Sequence, residues 1–345
     1  MNIVHVLTRV EGGGGVHAAT LAGASARRGD TVSFVAPERV DPSFDWIPLA
    51  PRCIPQIWAS LRRADLVHYH GVRAGLLGLV SFGRTSMLTT HALHAVRRTT
   101  GWKRTAAGLL TRLVARSATL VVTVSEAEKR DLVDLDPTFA DRIEVVLNGV
   151  KPAPLPTPAQ RSAARERLGL TDDDKVVLFV GALIDQKQPE LAVAAGRLAR
   201  RDVPELQLLL AGGGPRVPEI APAERSWLRL LGQRSDVDEL FAAADVVLNT
   251  SRWEGLSMAL LEALWRGRPI VATDAPGNAE AVGDAGVIVG ASAQELADAI
   301  RDLLADDERT ELLSRRARAR AEQLFDEATM VEATLRLYDR LCPMK

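Results

Sequence analysis

Short apolar runs rich in valine, isoleucine and leucine alternate along the chain with longer segments of helical periodicity. The runs NIVHVL, TVSFVA, DLVHYH, SMLTTH, ATLVVTVS and IEVVLN fill the first part, with a helix predicted from His17 to Arg28 between the first two. Such alternation predicts parallel strands joined by crossover helices. The stretch KPAPLPTP, from Lys151 to Pro158, interrupts the pattern. Proline has no amide hydrogen and continues neither a helix interior nor a central strand, so a first domain is expected to end here. The pattern then restarts with KVVLFVG, LQLLLAGGG, WLRLLG, DVVLNT, PIVAT and GVIVG, each short and apolar enough for a strand buried on both faces. From Ala293 onward the chain reads as helix. The expectation is an α/β protein with two facing Rossmann-like, doubly wound domains, residues 1–152 and 153–325, and a C-terminal helix, 326–345, able to cross back to the first. An inter-domain cleft at the carboxyl ends of both sheets is where such folds bind ligands, which directs attention to the strand-to-helix loops.

Composition narrows the function classes. With 345 residues, 47% hydrophobic and 25% charged, the chain is ordinary globular material, long enough for two cores. A net charge of −1 supplies no basic stripe for nucleic acid, so no nucleic-acid partner is expected. The charge is uneven: residues 1–152 carry 19 Lys+Arg against 13 Asp+Glu, and the remainder 24 against 31. A basic first half could meet an anionic acceptor or membrane surface, although scattered arginines are most often a solvated face. Cys53 and Cys342 are too few and too far apart for a disulfide framework or a zinc site, which fits a reducing, cytoplasmic location. Arg9 and Glu11 interrupt what would be a signal peptide, and no apolar run approaches the roughly 18 residues of a membrane span. The segment Trp102 to Arg116 is amphipathic, with Trp102, Leu109, Leu110, Leu113 and Val114 set against Lys103, Arg104, Arg112 and Arg116. Packing on the sheet is the favoured use of its apolar residues. The alternative is peripheral contact of 102–116 with the inner face of a membrane.

The loop chemistry begins at VEGGGGVHAA, where Gly12 to Gly15, with Gly14 and Gly15 as candidate donor-binding positions, precede a helix and offer bare amides to a phosphate. Gly13, Gly15 and Ala18 also match a dinucleotide fingerprint, but the nearest acid after the second strand, Glu38, follows Pro37 and lies too far along to hold a ribose. A more specific constellation begins at Trp253. Glu254 lies in the loop after DVVLNTS, Gly255 permits a close approach, and SMALLEALWRG reads as a helix ending at Gly267 and carrying Glu262. A helix-borne carboxylate can accept both hydroxyls of a ribose, while the amides of Leu256, Ser257 and Met258 point toward a diphosphate.

The segment WEGLSMALLEA resembles the E-x7-E motif of retaining glycosyltransferase family 4, and VVTVSEAEKRDL, VVLNGV, VGALIDQKQP, LLLAGGGP, LLGQRSDVDELFAAADVVLNTS and GRPIVATDAPGNAEAV resemble its other landmarks in order. The resemblance covers nearly the whole chain and implies the GT-B fold. It further implies that Glu262 binds the donor ribose and Glu254 a hydroxyl of the transferred sugar, that Lys187 neutralises the departing diphosphate, and that Gly232 and Gln233 frame the base. His91 would approach the transferred sugar and the acceptor, with His17, His70, Arg73 and His94 as further acceptor-side candidates. One departure stands out: the family motif commonly has arginine after the glycine, whereas here Ala182 follows Gly181. Arg252, Arg216 and Arg9 are possible substitutes. None of the histidines shows zinc spacing. The Asp172–Asp174 turn and the Asp236/Asp238 pair, read as a helix N-cap, give no metal site, so neither metal nor cofactor is expected.

The activity implied is transfer of a sugar, with retention, from a nucleoside-diphosphate sugar to a hydroxyl of a small-molecule, glycan or lipid acceptor. Uridine is favoured over guanosine as the donor base. The rival readings are a non-catalytic nucleotide-sugar binder or partner subunit, and a GT-B enzyme that epimerises or hydrolyses a sugar nucleotide.

Overall fold

A computed structural model describes residues 1–80 and 83–343, apart from the side chains of His94 and Ala95. It divides into two compact units, Met1–Gly149 with Glu327–Lys345, and Val150–Asp326.

In the first unit the strands are β1 (Asn2–Leu7), β2 (Thr31–Ala36), β3 (Asp45–Pro48), β4 (Leu66–His70), β5 (Ser86–Thr89), β6 (Leu120–Thr123) and β7 (Ile143–Val145). All pair in parallel, in the order β3-β2-β1-β4-β5-β6-β7. The second unit holds β8 (Lys175–Val180), β9 (Leu206–Ala211), β10 (Leu228–Gly232), β11 (Val246–Asn249), β12 (Ile270–Thr273) and β13 (Gly286–Val289), again parallel, in the order β10-β9-β8-β11-β12-β13. Both sheets therefore run 3-2-1-4-5-6, the Rossmann order, and β7 adds a seventh strand at the edge of the first. Strand order reverses between β1 and β4 and between β8 and β11, and ligands of such sheets bind at the carboxyl ends beside that reversal.

The continuous apolar runs are buried on both faces: Val176, Val177 and Leu178 in β8, and Ile3, Val4 and Val6 in β1, are fully enclosed. The helix Glu327–Leu341 packs Met330, Leu337 and Tyr338 against Ile3, Leu66 and Met87 of the first sheet. Val150 donates to the Phe325 carbonyl at 3.0 Å and bridges Asp326, so the two chain crossings run side by side.

Four local details differ from the sequence reading. The proline stretch is strapped to the second unit through Arg318, which donates to the Ala153 carbonyl, and Pro158 is the first residue of the helix Pro158–Arg167, where its missing amide costs nothing. β3 is absent from the predicted strands, being short and ending in Pro48; it forms an edge strand, where proline is tolerated. The first helix begins at Gly13, not His17, so its glycines form the first turn. The helix Gly101–Ser117 buries Gly108, Thr111, Val114 and Ala115, while Trp102, Leu109, Leu110 and Leu113 stay exposed. Small side chains let this helix approach closely, with Val114 filling the space beside Gly75, so the large apolar residues are not the packing face.

Candidate active site

The loops after β8 and β11 flank the reversal in the second sheet, and they carry the two most specific residues. Lys187 Nζ lies 2.5 Å from Glu254 Oε1, both side chains largely enclosed. The carboxylate also accepts from Ser251 Oγ at 2.6 Å and from Gln186 Nε2 at 3.4 Å. A buried carboxylate held by a cation and by neutral donors has its lone pairs satisfied.

The backbone of this region is fixed from beneath. Thr250 Oγ1 donates to the Lys187 carbonyl at 2.7 Å, and Asn278 Nδ2 donates to Asn249 Oδ1 at 3.1 Å, which in turn accepts from the Ser251 amide at 3.0 Å. Two glycines make the loops possible. A Cβ on Gly212 would stand 1.8 Å from the Gly181 carbonyl oxygen, and one on Gly277, whose φ is +83°, would stand 2.2 Å from that of Gly255. Close backbone approach therefore falls to Gly212 and Gly277, which read in the sequence only as parts of larger landmarks.

The helix Met258–Trp265 follows directly. Ser257 occupies its N-cap position without capping it, since its hydroxyl faces Asn249; the Leu260 amide turns back to the Ser257 carbonyl at 3.0 Å, and the amides ahead of it lie at the positive end of the helix dipole. Glu262, part-buried on this helix, has its carboxyl pushed above the ordinary range by burial, opposed by Arg266 and reinforced by Asp238. Its carboxylate has no hydrogen-bond or ion-pair partner among the described residues. Gly232 ends β10 in a left-handed turn (φ +67°), and Gln233 lies against Gly213. The three arginines considered as substitutes at Ala182 are each in half-exposed or exposed ion pairs: Arg252 with Asp185 at 3.6 Å, Arg216 with Glu190 at 2.9 Å, and Arg9 with Glu11 at 3.5 Å. Such pairs are weak enough to yield to a diphosphate. Asp236 does not cap its helix as expected; its carboxylate pairs with Arg234 instead.

In the first unit, strand alternation gathers the histidines. His5 of β1 is in register with His68 of β4, His70 lies two residues further on the same face, and His70 is in register with Thr89 of β5, two residues before His91. Folding thus brings His5, His17, His68, His70 and His91 together, and the ligating atoms of His5/His68/His70 and of His17/His70/His91 lie within 4.8 Å of one another. Neither group was visible from spacing, and His5 was not singled out at all; a lone histidine inside an apolar strand is its only signal. Burial lowers His5 to about 3 and His17 to about 4, the latter helped by His5, and holds His68 and His70 well below the ordinary histidine range. His70 is buried with both ring nitrogens engaged by other histidines, which leaves it no free polar atom for an acceptor.

His91 sits on a strained turn. His91, Ala92 and Leu93 have φ of 50°, 87° and 42°, a left-handed run that costs about 1–2 kcal/mol per non-glycine residue. Glu128, fully buried, offsets this by accepting from the Ala92 amide with one oxygen and from the Val124 amide, at 3.2 Å, with the other. Burial raises its carboxyl above the ordinary range against those hydrogen bonds. Sequence reading missed Glu128, which at three residues after Ser125 looks like a capping-box acid. The ring of His91 lies over the first turn of the glycine helix, 3.7 Å from where a Gly14 Cβ would be; Gly15 tolerates no side chain, its Cβ falling 1.6 Å from the Val10 oxygen. Arg73 is exposed on the short helix Val72–Gly75, and the side chain of His94 lies outside the described residues.

Two Rossmann-like units with a charged loop pair at one sheet reversal and a histidine cluster at the other define the GT-B class of glycosyltransferase. Residues 11–153 match the family described as Glycosyltransferase Family 4, and residues 174–306 the family described as Glycosyl transferases group 1. A D-inositol 3-phosphate glycosyltransferase of Kineococcus radiotolerans is 30% identical over 81% of this chain and 72% of its own length. An alpha-maltose-1-phosphate synthase of Mycolicibacterium smegmatis is 29% identical over 81% of this chain and 79% of its own. The fold is shared with the crystal structure of Anabaena HepE in complex with UDP and glucose, with a TM-score of 0.82 at 21% identity, covering 98% of this chain and 99% of that one. The chain belongs to glycosyltransferase family 4, and is a glycosyltransferase of GT-B fold.

Proposed function

We propose that this enzyme transfers a hexosyl group from a UDP-sugar to an acceptor hydroxyl, with retention and without a metal. The observation that carries this reading is the Lys187–Glu254 pair, set beside an uncapped helix start at the sheet reversal. In this reading the donor diphosphate lies on the amides of Ser257 and Met258 at the helix start and draws Lys187 toward its leaving oxygen. Glu254, still held by Ser251 and Gln186, accepts a sugar hydroxyl, and the unpartnered carboxylate of Glu262 takes the ribose. In this reading no carboxylate acts as a nucleophile, and the departing phosphate is the group that receives the acceptor's proton on the face it leaves. The protein supplies orientation and a preorganised positive field. Uridine is supported by the HepE structures with UDP and UDP-glucose, the latter also close in fold.

The test is a thermal-shift panel of UDP- and GDP-sugars, followed by release of nucleoside diphosphate in the presence of a chelator, with and without acceptor hydroxyls. Stabilisation by a UDP-sugar and acceptor-dependent UDP release are expected. Binding with no turnover would favour a non-catalytic binder, and turnover indifferent to acceptor would favour hydrolysis or epimerisation.

The exposed face of the helix Gly101–Ser117 supports peripheral contact with an anionic lipid surface and, with it, a lipid acceptor. Trp102 is 76% exposed, and Leu109, Leu110 and Leu113 lie on the same helix. Arg112 and Arg116 are both paired with Asp136, which leaves Lys103 and Arg104 as the cations for phosphate groups, so the contact is weak and reversible. Co-sedimentation with phosphatidylglycerol vesicles, lost on Trp102→Ser with Leu113→Ser, is expected.

A further inference from the structure

His5 Nδ1 lies 2.9 Å from His70 Nε2, and His70 Nδ1 lies 3.3 Å from His91 Nε2. The planes of the two pairs are inclined by only 22° and 16°, with centroids 5.2 and 5.6 Å apart. Each centroid separation matches the nitrogen–nitrogen distance with one ring radius added at either end, so the rings lie end to end and not face to face. Imidazole protons and lone pairs lie in the ring plane, which makes each contact an N–H···N hydrogen bond. A metal held by the same atoms would need their lone pairs to converge on one point. Here each lone pair aims at the neighbouring ring's proton, and both nitrogens of His68 are taken, by Tyr338 at 2.6 Å and Thr89 at 2.8 Å.

Burial keeps the inner rings uncharged, so each carries one proton and the chain admits two registers, with every proton on Nδ1 or every proton on Nε2. The inner end decides between them. His5 Nε2 is buried without a partner, its ring against Phe34. A buried donor lacking an acceptor is the rarer and costlier defect, compared with an acceptor whose lone pair goes unused. The His5 proton therefore sits on Nδ1 and donates to His70, and His70 Nδ1–H donates to His91 Nε2.

We propose that His5, His70 and His91 form one hydrogen-bonded imidazole chain that fixes His91 as its Nδ1–H tautomer, with Nε2 turned inward, so that His91 meets its ligand as a hydrogen-bond donor and not as a base. His70 and His5 are positioning residues in this scheme. The strained turn at 91–93, clamped by Glu128, holds the outer ring on the chain's axis. The catalytic use of His91 rests on the function proposed above; its tautomer does not.

Long-range 1H–15N correlation spectra of the full-length protein, labelled at histidine, read the tautomers directly. His91 and His70 are each expected with the proton on Nδ1. His70→Phe should release His91 to a mixture of tautomers, and His70→Asn, whose amide can donate from about the place of the ring Nδ1, should restore it. His91 protonated on Nε2 in the wild type, or unmoved by His70→Phe in a variant that melts as a folded protein, would overturn the chain. Turnover of the donor identified in the panel separates the two claims. With the chain intact, His70→Phe lowers kcat about tenfold with little change in KM, and His70→Asn recovers most of it. Full activity in His91→Ala would remove His91 from the proposed reaction while leaving the spectra to judge the chain.

Discussion

The charged loops of the second unit and the imidazoles of the first solve the same problem in opposite ways. Lys187 and Glu254 are held at the sheet reversal as ions, their charge balanced by each other and by Ser251 and Gln186. The four buried histidines of the first unit, His5, His17, His68 and His70, are held without charge, because burial disfavours the proton that each would gain. In the proposed reaction the first arrangement keeps a strong field ready for a charged leaving group, and the second keeps polar atoms in place beside an uncharged sugar without attracting anions. The contrast shows that a paired charge can be enclosed with its partners, whereas an imidazole enclosed without a counter-ion stays neutral.

The comparison can be broken at either end. The largest effect is expected from Lys187→Ala, which removes the cation from the leaving group and strands Glu254; kcat should fall about 10²–10³-fold, and turnover near wild type would sink the assignment. Glu262→Ala should act differently, weakening donor affinity roughly tenfold while kcat changes less, as read by UDP titration.

Acid should act on the histidine cluster. Buried histidines whose folded pKa lies below the unfolded value of about 6.5 bind fewer protons than the unfolded chain, so stability is full above that pH and declines as pH falls toward the folded values. With His5 near 3 and His17 near 4, the loss from pH 6.5 to 5 is about 2 kcal/mol for each. A flatter melting profile across that window is expected for His5→Phe, and an unchanged slope would show that His5 is not buried as a neutral ring. The smallest effect sharpens the comparison from the other side: Ala182→Arg places a guanidinium near the Lys187 ammonium and should tighten UDP binding a few-fold, measured by calorimetry.

Much of the fold was legible because parallel strands buried on both faces write themselves as short apolar runs, and because KPAPLPTP stops the first series. β3 escaped because four residues ending in proline carry no strand signal. The helix Gly101–Ser117 was given the wrong packing face because large apolar residues outweigh glycine, threonine and alanine in any periodicity, although the small ones make the closest contact. At the candidate site, Glu254 and Glu262 were readable as a local motif with fixed spacing, and Lys187 only through the resemblance of GALIDQKQP to a separate landmark. The histidine chain was not, since His5, His70 and His91 come from three strands or their ends, and only sheet register makes them neighbours. Glu128 was hidden for a related reason: its partner amide at Ala92 is 36 residues away, in a loop whose left-handed run no sequence pattern announces.

The paired crossings at Val150 and Asp326 have a topological consequence. Residues 150–326 enter and leave the first unit through adjacent segments, so the second unit is an insertion within the first, and its own ends lie together. Excision there would leave the donor loops on one continuous polypeptide. The first unit, by contrast, is assembled from two separate pieces of sequence, and a chain cut after Asp326 would lose Tyr338, the hydroxyl that holds His68, along with the apolar face that closes the lower part of the first sheet.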